Sequence, residues 1–330
     1  MMDDEMQYIV DEDDNIVGKA PISEAHASRK LHRGSHVFIF NSKGELLLHK
    51  RSKKWTFPDM WDSSAGGHVA YGSSYYETAV RELKEELGIS AELNEIGKIT
   101  HRRTGDKCNG IVMLYSGQHD GPFLPNKNEL QEIKFFSIDK LLKLIKNNPD
   151  KFTPSFILAF KLYLSKMTYN VDEKDKPIKR VSVKEAHENR LLHRACYVIL
   201  EDNKGRLMLQ KRSNTVRNYP GQCTASATGH VDYGETYEEA AHREMEEEIG
   251  VNVKLKKIGK FKKVDNICNV WATLFLGKYN GSFKIDEKAV AEVRFFTCHE
   301  IRHTMKEHPE EFVPSTPMFL DIYEKWKKKN

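Results

Sequence analysis

Two stretches of this chain place apolar residues at three- and four-residue intervals against a background of glutamate, lysine and arginine: Tyr75 to Leu87 and Tyr237 to Ile249. That rhythm is the one-sided stripe of an amphipathic helix, and each stretch stops at a glycine, Gly88 or Gly250, where a helix would end. Ahead of each lies a β-branched and aromatic run, His36-Val-Phe-Ile-Phe40 or Cys196-Tyr-Val-Ile-Leu200. A turn follows (Asn41-Ser-Lys-Gly44; Asp202-Asn-Lys-Gly205), then a second apolar run, Leu46-Leu-Leu48 or Leu207-Met-Leu209. Two short extended runs around a glycine-ended turn predict hairpins. The pattern predicts two mixed α/β units, each with a glutamate-rich central helix.

The similarity of the two units extends along the chain. Tyr8-Ile-Val-Asp-Glu12 returns as Tyr169-Asn-Val-Asp-Glu173, an offset of 161 residues (8 to 169). Glu24-Ala-His26 and Leu31-His-Arg33 return as Glu185-Ala-His187 and Leu192-His-Arg194, and Lys50-Arg-Ser52 as Lys211-Arg-Ser213. Gly67-His-Val69 matches Gly229-His-Val231, and Glu132-Ile-Lys-Phe-Phe136 matches Glu292-Val-Arg-Phe-Phe296. Each copy closes on a Pro-containing, apolar-periodic segment, Pro154 to Leu164 or Pro314 to Trp326. A repeat of this period is a duplicated domain. The expected domains are 1–166 and 167–330, with the boundary near Met167, before the charged turn at Asp172 to Lys176.

Charge narrows the function. The 52 basic and 48 acidic side chains leave a formal net charge of +4, too little for a general grip on nucleic acid or anionic lipid, so any preference for phosphate must be local. No apolar run approaches the roughly 20 residues that span a bilayer, and the acidic start at Met1 to Met6 is unlike a secretory signal. A cytoplasmic protein with no membrane association is expected. The five cysteines, Cys108, Cys196, Cys223, Cys268 and Cys298, are widely spaced without a Cys-x-x-Cys pair, which predicts buried, reduced thiols.

The chemistry concentrates at the start of the central helix. In the second copy, Gly229-His-Val-Asp-Tyr-Gly-Glu235 is followed seven residues later by Arg243-Glu-Met-Glu-Glu-Glu-Ile-Gly-Val251. On a helix Glu244, Glu247 and Glu248 stand at i, i+3 and i+4, so three carboxylates share one face and repel unless a hard cation sits among them. Oxygen-only ligands point to magnesium or manganese. Gly229 and Gly234 permit a tight loop ahead of the helix, and Glu235 is expected to reach back to Arg243. The first copy keeps the corresponding ligands Glu82, Glu85 and Glu86 with Gly67 and Arg81, but Ser73 replaces the loop glutamate, so Arg81 is expected to lose its carboxylate partner.

These residues resemble the Nudix box: Gly, five residues, Glu, seven residues, then Arg-Glu-aliphatic-any-Glu-Glu-any-Gly-aliphatic. The second copy matches every specified position and the first departs at Ser73. An ordinary solvated helix shares the acidic run but not the fixed glycines, arginine and aliphatics. The resemblance implies an α/β class, two tandem α/β/α sandwiches with mixed sheets. It also implies divalent-metal-dependent hydrolysis of a diphosphate linkage in a small nucleoside diphosphate derivative, with Mg2+ or Mn2+ as cofactor. Glu244 and Glu247 are the expected catalytic pair, with Glu292 as candidate general base beside Glu132, Glu129 and Glu287.

Val-Asp-Glu at the start, Leu-His-Arg before the first long strand and Lys-Arg-Ser are similar to the isopentenyl-diphosphate isomerase branch of the same superfamily. That branch uses a cysteine before the Gly-His of the box and a glutamate in a later strand. Here Gly66 and Thr228 hold the cysteine position, and Cys108-Asn-Gly-Ile-Val112 and Cys268-Asn-Val-Trp271 contain no glutamate. The isomerase is therefore an alternative to hydrolysis, as is a nucleotide-binding sensor with a degenerate first domain. His26, His32 and His68, with His187, His193 and His230, are read as turn and strand-end residues rather than ligands. Arg51, Lys54, Arg212 and Arg217 are candidate phosphate contacts. Trp55, Phe57 and Trp61 are expected in the core of the first copy, with Tyr219 the main aromatic of the matching stretch in the second. The two copies are expected to pack as a pseudo-dimer. If the complete box is the stronger site, Glu247→Gln removes most metal-dependent turnover and Glu85→Gln less; equal losses in a phosphate-release assay refute unequal sites.

Overall fold

The computed structural model describes residues 4–102 and 109–330 and divides the chain into two units, Met1–Tyr163 and Leu164–Asn330. Cys108 lies outside the described residues. Unit 1 runs β1 (Met6–Val10), β2 (Ile16–Pro21), α1 (Ile22–Ala27), β3 (Leu31–Phe40), β4 (Leu46–Arg51), β5 (Trp61–Asp62) and β6 (Ala65–His68). It continues through α2 (Tyr75–Leu87), β7 (Asn94–His101), β8 (Asn109–Gln118), β9 (Leu130–Phe136), α3 (Ile138–Asn147) and α4 (Pro154–Ser165). Unit 2 repeats the order: β10 (Met167–Val171), β11 (Pro177–Ser182), α5 (Val183–Glu188), β12 (His193–Glu201), β13 (Leu207–Arg212), β14 (Cys223–Thr224) and β15 (Ala227–His230). Then come α6 (Tyr237–Ile249), β16 (Lys256–Val264), β17 (Asn269–Lys278), β18 (Val290–Phe296), α7 (Cys298–Glu307) and α8 (Thr316–Lys327).

The sheets are mixed. β3 pairs in parallel with β8 and antiparallel with β6, and β12 does the same with β17 and β15. Because side chains alternate across a strand, β12 feeds two separate cores. Cys196, Val198 and Leu200 pack with Met245 and Ile249 of α6, while Tyr197 and Ile199 pack with Phe319, Leu320 and Tyr323 of α8. In unit 1, Val37 and Ile39 meet Leu83 and Leu87 of α2, and Phe38 turns the other way to Phe156 of α4, ring centroids 5.7 Å apart. Each unit is thus a sheet with helices on both faces, the α/β/α arrangement.

The two central helices start and stop as their sequences dictate. Ser74 and Thr236 occupy the N-caps with reciprocal hydrogen bonds to Glu77 and Glu239, which satisfy amide groups that the first helical turn leaves open. Gly88 and Gly250 close them in the left-handed region at φ 67° and 66°. Of the described cysteines none is in a disulfide; Cys196 is buried, whereas Cys223, Cys268 and Cys298 are only half-buried because they lie near strand and helix ends. Trp55 and Phe57 are likewise half-buried rather than in the core, and Trp61 packs edge-on against Phe136 at 5.0 Å.

Gly250 tests this logic. A Cβ there would lie 2.8 Å from Cβ of Lys284 and 2.9 Å from its carbonyl oxygen, in addition to the strain of a positive φ. Gly250→Ala is expected to lower the stability of unit 2 by about 1–2 kcal/mol. An unchanged urea midpoint for that unit would show that the helix end relaxes without cost.

Candidate functional site

The acidic helix meets the sheet where its strand has no side chain. Gly67 pairs with Ser35 of β3, one residue before β6 ends at His68, and a Cβ on it would sit 2.1 Å from Oε1 of Glu82. Gly229 stands in the same relation to Glu244, at 2.0 Å from its carboxyl group. Glycine at this position is therefore what lets a buried carboxyl enter. The second carboxyl of each pair follows one helical turn later. Glu248 Oε2 accepts from the backbone N–H of Thr228 at 3.0 Å and from Gln210 Nε2 at 2.9 Å; Glu86 accepts from the backbone N–H of Gly66 and lies 3.9 Å from His49 Nδ1.

Of the six carboxylates singled out in sequence, four turn inward and two do not. Glu82 and Glu86 are buried, and Glu244 and Glu248 nearly so, whereas Glu85 and Glu247 are exposed. The third member of each triad stands at the rim. Arg243 reaches two of the three in its copy and the loop glutamate: Nε and Nη2 bond both oxygens of Glu235 at 2.8 and 2.9 Å, and Nη1 bonds Glu244 at 2.7 Å and Glu247 at 3.2 Å. Its Nη2 also donates to the His230 carbonyl at 3.0 Å, tying helix to loop. Arg81 has the weaker set. It pairs with Glu82 at 2.9 Å, and in the absence of a glutamate at position 73 its next carboxylate is Glu5, 3.9 Å away.

Burial and mutual repulsion disfavour the charged forms. Burial lifts Glu82 to about 7 against the opposing field of Arg81, with Glu85 and Glu129 adding to the rise. Glu244 is pushed up to about 8 by burial, opposed by Arg243 and reinforced by Glu248. Glu248 rises to about 7 through burial, opposed by its bonds from Thr228 and Gln210. Burial and the Glu82 charge hold Glu86 well above the ordinary range, and its Oε2 is buried with no hydrogen bond among the described residues. Crowded carboxyl oxygens with an orphaned acceptor fit a hard divalent cation.

The base candidates separate. Glu129, just ahead of β9, raises the pKa of Glu82 and Glu86 by its charge, is itself raised by burial and Glu85, and is held by Asn126 Nδ2 at 2.8 Å. In unit 2 the same backbone position, fixed by the bond from Ser213 N to the residue 289 carbonyl as Ser52 N bonds Glu129, belongs to Ala289. Glu292 on β18 accepts from Arg294 Nε at 2.5 Å beside Lys211, and it is not among the leading charges acting on Glu244 and Glu248. Glu132 faces Lys50 across the β4–β9 ladder. Among the basic candidates, Arg51 and Arg212 are half-buried and held by the carbonyls of Thr56 and Asn218, while Lys54 and Arg217 are exposed. Arg51 also pairs with buried Asp62 at 3.1 Å; Thr224 replaces that aspartate in unit 2.

A second constellation comes from the histidines that read in the sequence as turn and strand-end residues rather than ligands. His26 on α1, His32 on β3 and His68 at the end of β6 bring one nitrogen each within 4.8 Å of one another, and His187, His193 and His230 do the same. They are up to 43 residues apart in the chain (187 to 230); the pairing of β3 with β6 and of β12 with β15 brings together the strand histidines, and α1 and α5 add His26 and His187. The two copies of the same spacing were the available signal.

The structure and chain have known counterparts. The model of the NUDIX domain matches residues 30–156 and again 191–316. An isopentenyl-diphosphate Delta-isomerase of Serratia proteamaculans is 35% identical over 162 residues, 48% of this chain and 90% of that protein. An uncharacterized Nudix hydrolase of Pseudomonas aeruginosa is 34% identical over 164 residues, 49% of this chain and 95% of that protein. The crystal structure of DR0079 from Deinococcus radiodurans superposes with a TM-score of 0.41 at 23% identity, over 48% of this chain and 99% of that one.

The raised acids predict a pH signature. They release protons near 4.5 when unfolded but near 7 to 8 in the metal-free fold, so the folded chain binds more protons across that interval. Stability without metal is therefore expected to fall as pH rises from about 5 to about 8, and millimolar magnesium to offset the fall. A metal-free melting temperature that is flat over that range would contradict the buried-carboxylate reading.

Proposed function

This chain belongs to the NUDIX family as two tandem domains, and from that premise we propose that it is a divalent-metal-dependent hydrolase that cleaves a diphosphate linkage, the substrate class being a nucleoside diphosphate derivative. The observation that carries the proposal is the pair of buried carboxyls in each copy, Glu82 with Glu86 and Glu244 with Glu248, admitted by a glycine where any side chain would collide. A magnesium or manganese ion among these oxygens would neutralise phosphate charge and make bound water more acidic. Arg243 keeps the Glu244 and Glu247 carboxylates in place, and its bidentate bond to Glu235 fixes the loop that precedes the helix. Arg212, with no carboxylate partner among the described residues, is available to a substrate phosphate.

The copies divide the requirements differently. Unit 2 has the complete box but an alanine at position 289; unit 1 has the weaker box but Glu129, whose raised pKa suits acceptance of a proton from attacking water. A second reading, isomerisation of a prenyl diphosphate, is supported by the Serratia relative and opposed by Gly66 and Thr228 at the cysteine position. The sensor reading is opposed by the retention of both buried carboxyl pairs.

Phosphate release is measured on nucleoside diphosphate derivatives, dinucleotides and prenyl diphosphates with magnesium or manganese. Glu86→Gln and Glu248→Gln are each expected to remove the turnover of their own copy. In the Glu248→Gln background, Glu129→Gln is expected to lower kcat by about 100-fold or more. If the wild-type chain turns over no diphosphate, or isomerises a prenyl diphosphate without releasing phosphate, the hydrolase reading fails.

A further inference from the structure

One backbone position is filled by a large ring in unit 1 and by a small thiol in unit 2. Trp61 and Cys223 open the matching short strands β5 and β14, pair with Lys50 of β4 and Lys211 of β13, and bridge in parallel to Phe152 and Phe312. The Trp61 carbonyl accepts from the backbone N–H of Thr153 at 2.9 Å, and the Cys223 carbonyl from that of Val313 at 3.0 Å. The backbone frame is common to both copies, and the side chain differs. In unit 1 the Trp61 indole packs edge-on against Phe136, which is 5% exposed. Phe296 holds the same register place in unit 2, opposite Leu207 as Phe136 is opposite Leu46, and it is only half-buried. Beside it lies a cavity of about 170 Å³ lined by Leu209, Lys211, Cys223, Arg294, Phe296 and Glu311.

The cavity opens on the far side of β13 from the carboxylates. Side chains alternate along a strand. Met208 packs with α6 and Gln210 donates to Glu248, whereas Leu209 packs into the core shared with α8, and Lys211 follows it two positions on. The lining divides into an apolar floor and a charged rim. Leu209 and Phe296 are apolar, and burial raises the Cys223 thiol against the opposing charge of Lys211, so the thiol is neutral at neutral pH. Lys211, Arg294 and Glu311 are exposed around it, and all three act on the thiol by their charge. Arg294 is tied to Glu292, while Lys211 and Glu311 have no ion pair among the described residues. The place of Glu311 in the Pro-containing turn of unit 2, residues 309–311, is held by Lys151 in unit 1, residues 149–151. The acid is present in the copy with the cavity and absent from the copy with the indole.

We propose that this cavity of unit 2 binds a free aromatic amino acid of the tryptophan class, its ring seated where unit 1 seats Trp61, its carboxylate on Lys211 and its ammonium group on Glu311. The ring is specified by the other copy. On the same backbone frame the Trp61 indole lies 5.0 Å from Phe136, centroid to centroid, in the edge-on geometry that aromatic pairs favour. Cavities of about 150 Å³ admit a single aromatic ring, and the exposed rim here leaves room for the second ring of an indole. The charges specify the rest. A cation and an acid at one rim match a zwitterion, whereas a ligand with one charge meets a like charge beside its partner.

The test is binding, so it stands or falls apart from the hydrolase reading. The full chain is titrated with L-tryptophan by isothermal titration calorimetry, beside indole, tryptamine and indole-3-propionate. Wild type is expected to take up one equivalent of tryptophan with a dissociation constant of about 0.1–1 mM, the range for a ligand of this size. Cys223→Trp, checked for folding by circular dichroism, restores the side chain that unit 1 carries and is expected to abolish uptake. The surface variants Lys211→Ala and Glu311→Lys are each expected to weaken it by about 10-fold or more. Glu248→Gln is expected to bind tryptophan as wild type does, whatever it does to turnover. Absence of saturation up to about 10 mM, an affinity unchanged by Cys223→Trp or Glu311→Lys, loss of uptake in Glu248→Gln, or equal affinity for any of the three analogues would each overturn the proposal.

Discussion

Glu82 and Glu244 each push a carboxyl group into the volume a Cβ would occupy on the facing glycine, and the rest of each unit is arranged around that contact. The helix can approach so closely only because Gly67 and Gly229 are bare. The approach places a second carboxyl, Glu86 or Glu248, beside the backbone N–H of residue 66 or 228 one turn later. Two acids in such a space resist ionisation, which is why burial is the leading cause of every raised value in the cluster. The apolar side of the same helix, Leu83 and Leu87 or Met245 and Ile249, holds it against the sheet. Hydrophobic burial thus opposes the repulsion that the acidic face creates.

Duplication exposes what this contact requires and what it tolerates. Both copies keep the glycine, the two inward glutamates, the capping boxes and the terminal glycine. The surroundings diverge. At the positions that His49, Asp62 and Glu129 hold in unit 1, unit 2 carries Gln210, Thr224 and Ala289, so these three positions are ionisable in the first copy and neutral in the second. The arginine of the box compensates in the opposite sense: Arg243 makes five hydrogen bonds to carboxylates and a carbonyl, and Arg81 makes two. The same scaffold therefore presents two electrostatic environments to whatever enters.

Local chemistry and repetition along the chain encode the first part of this architecture. The bounds of the two central helices follow from apolar periodicity and from glycine's access to positive φ, and the contact of Glu235 with Arg243 follows from a fixed spacing across one tight loop. The mixed α/β architecture and the duplication were legible for the same reason: each signal lies within a short stretch or recurs at a constant offset. Which carboxylates are buried depends on packing against the sheet, because spacing puts Glu244, Glu247 and Glu248 on one face but does not say where the sheet cuts across it. Tertiary packing alone brought Glu129 to the acidic cluster while leaving Glu292 with Arg294, and it assembled six histidines into two clusters from helices and strands whose contacts no local pattern records. Contacts between residues distant in sequence depend on register and crossing, which are set by the packing of whole elements, and a linear pattern carries no term for that.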